Sequence, residues 1–149
     1  MLVLAVDTSG RNGSMALARC SEPDTCEFLE VVDLAGGTFS AQLIPQISAL
    51  LSQHKLTKTD IDAFAVASGP GSFTGLRIGL AAIKALGEIL AKPIAAVSVL
   101  EVVAVSGALS TKCLAATDAG RTDVYAAEYD ERLGTERLLT MPEFLLSAK

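Results

Sequence analysis

The sequence predicts an α/β protein whose mixed sheet forms in the order β-β-β-α-β-α-β and is followed by the start of a second unit. Three observations support this fold class. Short apolar runs joined by polar turns open the chain, as in a strand meander. Apolar residues then recur at helical spacing. A glycine-rich turn finally stands between a strand-like run and a helix-like run.

The opening of the chain predicts three strands. Residues 2–6 are apolar, as expected of a buried strand, and residues 7–13 read as a tight polar turn. Residues 14–19 can pair back as a second strand, and residues 26–34 make a third. Strands joined by such short turns predict a meander rather than a βαβ unit.

The first helix is predicted at residues 40–54. Pro45 falls in its early part, where a helix tolerates proline best. The helical spacing is carried by five apolar residues, namely Leu43, Ile44, Ile47, Leu50 and Leu51.

The glycine-rich turn at residues 68–79 lies between a predicted strand at 63–67 and a predicted helix at 76–90. Glycine permits positive φ and close backbone approach, and a serine or threonine can cap the helix start. Unpaired N–H groups there favour an anion, although the spacing matches neither the P-loop nor the dinucleotide fingerprint. The alternative is that the glycines only let strand and helix pack closely. The candidate anion- or nucleotide-binding residues are Gly69, Gly71, Ser72 and Thr74.

The rest of the chain predicts a second set of elements. A strand at 94–97 and a helix at 98–109 come first. Strands then follow at 113–118, 122–130 and 135–140, and Pro142 marks the start of a helix. The predicted domains are therefore residues 1–105 and an incomplete second copy at 106–149.

Composition sets limits on partners and compartment. The chain has 149 residues and a net charge of −5, which argues against gripping a nucleic acid backbone directly. Cys20, Cys26 and Cys113 show no metal-ligand spacing, and their odd number favours ordinary thiols in a reducing compartment. The sequence shows neither a signal peptide nor a run of ~18 apolar residues, so we expect a cytoplasmic protein without a membrane partner.

Three stretches together resemble the bacterial TsaB (YeaZ) family. They are Asp-Thr-Ser at 7–9, Ser-Gly-Pro-Gly-Ser-Phe-Thr-Gly-Leu-Arg-Ile-Gly at 68–79 and Asp-Ala-Gly-Arg-Thr-Asp-Val-Tyr at 118–125. The resemblance covers essentially the whole chain and implies the actin and sugar-kinase (ribonuclease H-like) fold with a duplicated domain. It also implies a role in threonylcarbamoyladenosine synthesis on tRNA, as the non-catalytic partner of the transferase TsaD. The ATPase TsaE would be the third member, and tRNA would be met only through the complex.

Proteins of this family have often been labelled glycoproteases, or members of peptidase family M22. The residues of this chain do not support that label. In TsaD relatives two histidines four residues apart hold a metal, and Val99 and Val103 occupy the matching places here. Valine cannot ligate a metal. The only histidine is His54, which we expect to be a cation at the end of the first helix. We therefore expect no metal, no cofactor and no catalytic residue.

The rival hypothesis is an enzyme of the same fold, either an ATP-dependent phosphotransferase or a glycoprotease-type hydrolase. The resemblance places Asp7, Thr8 and Ser9 at the first phosphate-binding turn of the superfamily, and Asp118 at the comparable turn of the second half. Asp7 could hold a metal through water. For both aspartates the alternative is a turn closed by an Asx-type hydrogen bond.

The two helices of the first half predict a partner interface. Apolar residues on the second helix extend well beyond the ~100° stripe that one sheet would cover. Small residues at three-to-four spacing would also let another helix approach. We expect this surface to bind TsaD, or a second copy in a homodimer; the alternative is that both helices are buried within the chain. The predicted interface residues are Leu43, Ile47, Leu50, Gly75, Ile78, Gly79, Ala82 and Ile83.

Overall fold

The computed structural model describes residues 1–22, 25–107, 112–130 and 133–148. The strands are β1 (Leu2–Asp7), β2 (Gly13–Glu22), β3 (Thr25–Leu34), β4 (Ala63–Gly69), β5 (Ile94–Ser98), β6 (Lys112–Gly120), β7 (Asp123–Asp130) and β8 (Leu133–Thr140). The helices are α1 (Phe39–Gln53), α2 (Phe73–Leu90), α3 (Val99–Ser106) and α4 (Met141–Ser147), with a short 3₁₀ turn at Lys58–Asp60. The predicted order β-β-β-α-β-α-β is confirmed.

Several element boundaries differ by a few residues from the sequence-based expectation, and those of α2 and α3 bear on the site. Helix α2 begins at Phe73 rather than residue 76, because the Ser72 side chain caps it. Helix α3 ends at Ser106, and the predicted positions 108 and 109 lie outside the described residues.

The chain packs as two compact units, the first unit (Met1–Val97) and the second unit (Ser98–Lys149). This division shows which residues pack together, and it does not show that one domain is a copy of the other. The duplicated domains at 1–105 and 106–149 therefore remain a prediction.

The first unit is built on a five-stranded mixed sheet in the order β3-β2-β1-β4-β5. Strand β1 pairs antiparallel with β2 and parallel with β4, so Leu4 stands opposite both Leu17 and Phe64. These three side chains are fully buried and form one core with Leu43 of α1 and Ile83 of α2. The strands supply alternate residues to this core because strand side chains have a period of two.

The second unit is an antiparallel meander in the order β6-β7-β8. Leu100 and Ala104 of α3 pack with Ala115, Ala127 and Tyr129 of the sheet in a second core. Burial is the main cause that raises the pKa of the Tyr129 phenol above its ordinary value.

A capping box opens α4. The Glu143 carboxylate accepts hydrogen bonds from the Thr140 N–H at 2.8 Å and the Thr140 hydroxyl at 2.7 Å, and both hold the pKa of Glu143 below its usual value.

The cysteine prediction is wrong for two of the three residues. Cys20 and Cys26 are direct neighbours across β2 and β3 and form a disulfide, whereas Cys113 is a free thiol. Separation along the sequence does not show this pairing, because the register of the two strands decides it.

Within the described ranges, no helix has the length and apolar character needed to cross a membrane.

Replacing Leu4 by alanine should lower the free energy of unfolding by about 2–5 kcal/mol, because the side chain is fully buried at the centre of the first sheet. Val3→Ala, on the opposite and half-buried face of the same strand, is the matched control and should cost about 1 kcal/mol or less. Urea unfolding measures both, and equal losses would contradict the assigned faces.

The 3₁₀ turn predicts a pH effect on stability. The Asp60 carboxylate accepts hydrogen bonds from the Thr57 N–H at 2.7 Å and the Thr57 hydroxyl at 2.8 Å, which lower its pKa from the ordinary 3.8. A lowered folded-state pKa gives stability that is present above pH 3.8 and is lost as the pH falls through the folded value. The stability difference between the wild type and Asp60→Asn should therefore disappear in acid, and a difference independent of pH would contradict this account.

Candidate functional site

The two polar turns predicted from the sequence lie together in the first unit. The Ser72 N–H donates to the carbonyl oxygen of Ser9 at 2.6 Å, and the Thr8 hydroxyl donates to the carbonyl oxygen of Gly75 at 2.8 Å. Thr8 and Ser9 are buried. These contacts join the turn after β1 to the start of α2. They bring Gly71 and Ser72 against Ser9, whereas Gly69 lies at the end of β4 and Thr74 lies in the first turn of α2.

The glycines allow this close approach. A Cβ atom at Gly71 would collide with the Ser9 carbonyl oxygen, one at Gly75 with the Thr8 carbonyl oxygen, and one at Gly79 with the Thr8 hydroxyl. Gly69 has a φ of +117°, which side chains rarely adopt. The structure therefore matches the packing alternative, in which glycine brings helix and strand into contact.

The helix start uses several of its polar groups internally. The Ser72 hydroxyl accepts a hydrogen bond from the Gly75 N–H at 3.3 Å, and the Ser72 carbonyl oxygen accepts one from Leu76. Thr74, the other candidate cap, lies exposed in the first turn. Anion or nucleotide binding at this turn stays a prediction.

Both candidate aspartates close turns. A carboxylate oxygen of Asp7 accepts from the Ser9 N–H at 2.8 Å, and one of Asp118, in the second unit, accepts from the Gly120 N–H at 2.8 Å. These bonds are the Asx-type alternative. A metal-binding or phosphate-binding role for either aspartate therefore remains a prediction.

The predicted partner interface requires a correction. Four of its side chains are buried in the core of the first unit, Gly75 and Gly79 face Thr8, and Ile78 and Ala82 are half-buried against that core. The physical reason is that α1 and α2 contact each other as well as the sheet, which accounts for the apolar excess on α2. The four buried side chains are Leu43, Ile47, Leu50 and Ile83.

The exposed sides of the same two helices form the surface that sequence reasoning missed. Ile44 is 49% exposed and Ile89 is 75% exposed, and most of their exposed neighbours are small or uncharged. Apolar periodicity did not separate this surface from the core, because it groups the half-exposed Ile44 with the buried residues of α1. We call it the outer helix face, defined by Ala41, Ile44, Pro45 and Ser48 of α1 and Ala81, Ala85 and Ile89 of α2.

The metal-ligating residue types do not cluster within the described ranges, where no group of three or more histidine, cysteine, aspartate or glutamate side chains could hold an ion. His54 follows the last residue of α1, and its Nε2 lies 2.8 Å from a Glu30 carboxylate oxygen. Val99 and Val103 belong to α3.

The contact between the two turns predicts an unusual sign for a helix substitution. Glycine to alanine inside a helix ordinarily stabilises by about 1 kcal/mol. Gly79→Ala should instead destabilise by about 1–3 kcal/mol, because the new methyl group meets the Thr8 hydroxyl. In a Thr8→Ala background, which removes that hydroxyl, the same change should become neutral or stabilising. A double-mutant cycle by urea unfolding measures the coupling, and additive effects would refute the contact.

The chain is similar in sequence to proteins of known families. Residues 33–145 match the family model described as TsaD: tRNA N6-adenosine threonylcarbamoyltransferase. The Bacillus subtilis protein named tRNA threonylcarbamoyladenosine biosynthesis protein TsaB is 35% identical over 135 residues, which cover 90% of this chain and 57% of that protein. The chain covers 57%, 55% and 53% of the length of the proteins named TsaB from Bacillus subtilis, Escherichia coli and Haemophilus influenzae.

Two solved structures bear on the fold. YeaZ from Pseudomonas aeruginosa matches with a TM-score of 0.74 at 28% identity, over 93% of this chain and 67% of that chain. A putative N-acetylglucosamine kinase from Porphyromonas gingivalis matches with a TM-score of 0.54 at 15% identity, over 90% and 46%, which shows the fold alone. The predicted actin- and sugar-kinase-like fold class is confirmed.

Proposed function

The chain belongs to the family of tRNA N6-adenosine threonylcarbamoyltransferase (TsaD), and to its TsaB (YeaZ) members, and on this basis we propose that it acts in threonylcarbamoyladenosine biosynthesis on tRNA. Its role in this proposal is that of a non-catalytic partner that binds and activates a TsaD-type transferase. The proposal places the protein in the cytoplasm.

The main support for a partner-binding role is the exposure of the outer helix face. It presents small and apolar side chains to solvent on two adjacent helices, and Ile89 is three-quarters exposed. Small residues let a second pair of helices approach closely, and exposed apolar surface gains free energy when a partner covers it. A TsaD-type transferase covers this face in our proposal, and a second copy covers it in a homodimer when the transferase is absent.

The polar turns support a scaffold rather than an enzyme. The Thr8 hydroxyl, the Ser72 N–H and the Asp7 carboxylate are each bonded to another group of the two turns. Groups that satisfy one another contribute less to a phosphate or nucleotide, since the internal bonds would have to break first. Val99 and Val103, in the places of the metal-binding histidines, cannot supply a metal centre.

The remaining partners follow from the same complex. A TsaE-type ATPase is the third member in this proposal, and tRNA is bound through the complex. The net charge of −5 favours that arrangement, because a surface that binds a nucleic acid alone needs clustered cations.

We also propose that residues 106–149 begin a copy of the domain at residues 1–105. Strands β1–β3 and strands β6–β8 each form an antiparallel meander in sequence order, followed by a helix, α1 in the first and α4 in the second. In both, an aspartate near the end of the first strand accepts a hydrogen bond at 2.8 Å from the N–H two residues later, Asp7 in one and Asp118 in the other. A repeated strand order with the same turn supports a duplicated actin-like domain.

The partner role predicts the effect of a charge placed on the outer helix face. The Ala85→Glu variant should fold normally, because residue 85 is exposed. It should weaken association with the TsaD-type transferase of the same organism at least about tenfold, because the new carboxylate would be buried without a partner charge in the interface. Ala35→Glu, at an exposed loop position, is the matched control. Sedimentation velocity measures both. Unchanged binding by Ala85→Glu, or ATP hydrolysis by the isolated wild-type chain, would contradict the proposal.

A further inference from the structure

An exposed aromatic–cation pair marks the start of α2. The guanidinium carbon of Arg77 lies 3.9 Å from the centroid of the Phe73 ring, one helical turn away. Both residues are exposed, and the exposed fraction of Phe73 is 68%. A cation over an aromatic ring is attracted by the negative face of its quadrupole, so the pair holds the arginine in a restricted position.

Within the described residues, no acidic side chain forms an ion pair with Arg77. The ion pairs of the described residues use His54, Lys92 and Lys112, and none of them uses Arg77 or Lys84. Lys84 follows Arg77 by seven residues, about two turns, and so lies on the same side of α2. Glu88 is the acidic residue of this side: it follows Lys84 by four residues, or one turn, and lies eleven residues from Arg77, or about 16 Å along the helix axis. In a chain with 17 acidic and 12 basic residues, this patch is complementary to an acidic surface.

The chemistry of the pair favours a carboxylate ligand. A guanidinium group is planar and can donate two parallel hydrogen bonds to one carboxylate. An arginine already held on a ring loses less side-chain freedom when it binds. Aromatic residues and arginine are also enriched among the positions that dominate binding energy at protein interfaces.

A nucleic acid phosphate is the competing ligand, and the surroundings argue against it. Two cations on one side of a helix in a chain of net charge −5 do not form the basic stripe that phosphate backbones require. The adjacent small residues Ala81 and Ala85 instead suit the packing of another helix.

We infer that the Phe73–Arg77 pair is a docking point for an aspartate or glutamate side chain of the partner subunit. This inference rests on the proposed function, because the pair lies on the helix that carries part of the outer helix face. It adds a polar specificity element to a surface that is otherwise apolar, and it fixes the orientation in which the partner can bind.

The test uses the full chain and the TsaD-type transferase of the same organism, followed by sedimentation velocity at low and moderate salt. Arg77→Glu should weaken association at least about tenfold. Phe73→Leu, which keeps the charge but removes the ring, should weaken it about threefold. Lys58→Glu makes the same charge change at an exposed position in the 3₁₀ turn and should change association less than about twofold. Thermal unfolding should show that all three variants fold.

The outcomes separate this inference from the proposed function. If the wild type binds the transferase and Arg77→Glu binds as well as Lys58→Glu does, the docking point is wrong and the proposed function stands. If the wild type does not bind the transferase, both are wrong. A third result would also overturn the inference: isolated tRNA binds the wild type, Arg77→Glu loses that binding, and association with the transferase is kept.

Discussion

One buried hydroxyl fixes the position of α2, and much of the first unit depends on it. The Thr8 hydroxyl donates to the Gly75 carbonyl oxygen at 2.8 Å, and Gly79 packs against the same side chain one turn later. No side chain fits at residues 71, 75 or 79 in this arrangement, because each would enter the turn after β1. The glycine-rich turn therefore joins two distant segments of the chain, and the Ser72 N–H and the Gly75 carbonyl oxygen are engaged in that contact.

The same constraint determines what α2 offers to other molecules. With its glycine side against Thr8, the helix turns Ala81, Ala85 and Ile89 outward together with the Phe73–Arg77 pair. A larger residue at Gly79 would displace α2 from Thr8. The displaced helix would then present different side chains at the surface. In the proposed function, the glycine pattern would therefore serve partner binding by fixing the orientation of α2, and it would not need to hold an anion.

The residue pattern within each segment predicts the helices and strands well. It predicts the contacts between those helices and strands poorly. The helix predicted at 40–54 is found at Phe39–Gln53, because apolar spacing is a property of the segment itself. The Cys20–Cys26 bond depends on the register of two strands, and apolar periodicity cannot tell a neighbouring helix of the same chain from one of a partner. For that reason the sequence predicts an interface at four residues that in fact fill the core, namely Leu43, Ile47, Leu50 and Ile83.

Hydrogen–deuterium exchange of the chain, alone and with the TsaD-type transferase, tests the central claim most directly, because it locates a binding surface without altering any residue. The account predicts slower exchange in α1 and α2 when the transferase is added, with β7, which packs in the second core, unchanged. Unchanged exchange in both helices, together with slower exchange at residues 7–9 when ATP alone is added, would contradict the scaffold and favour a nucleotide-using enzyme.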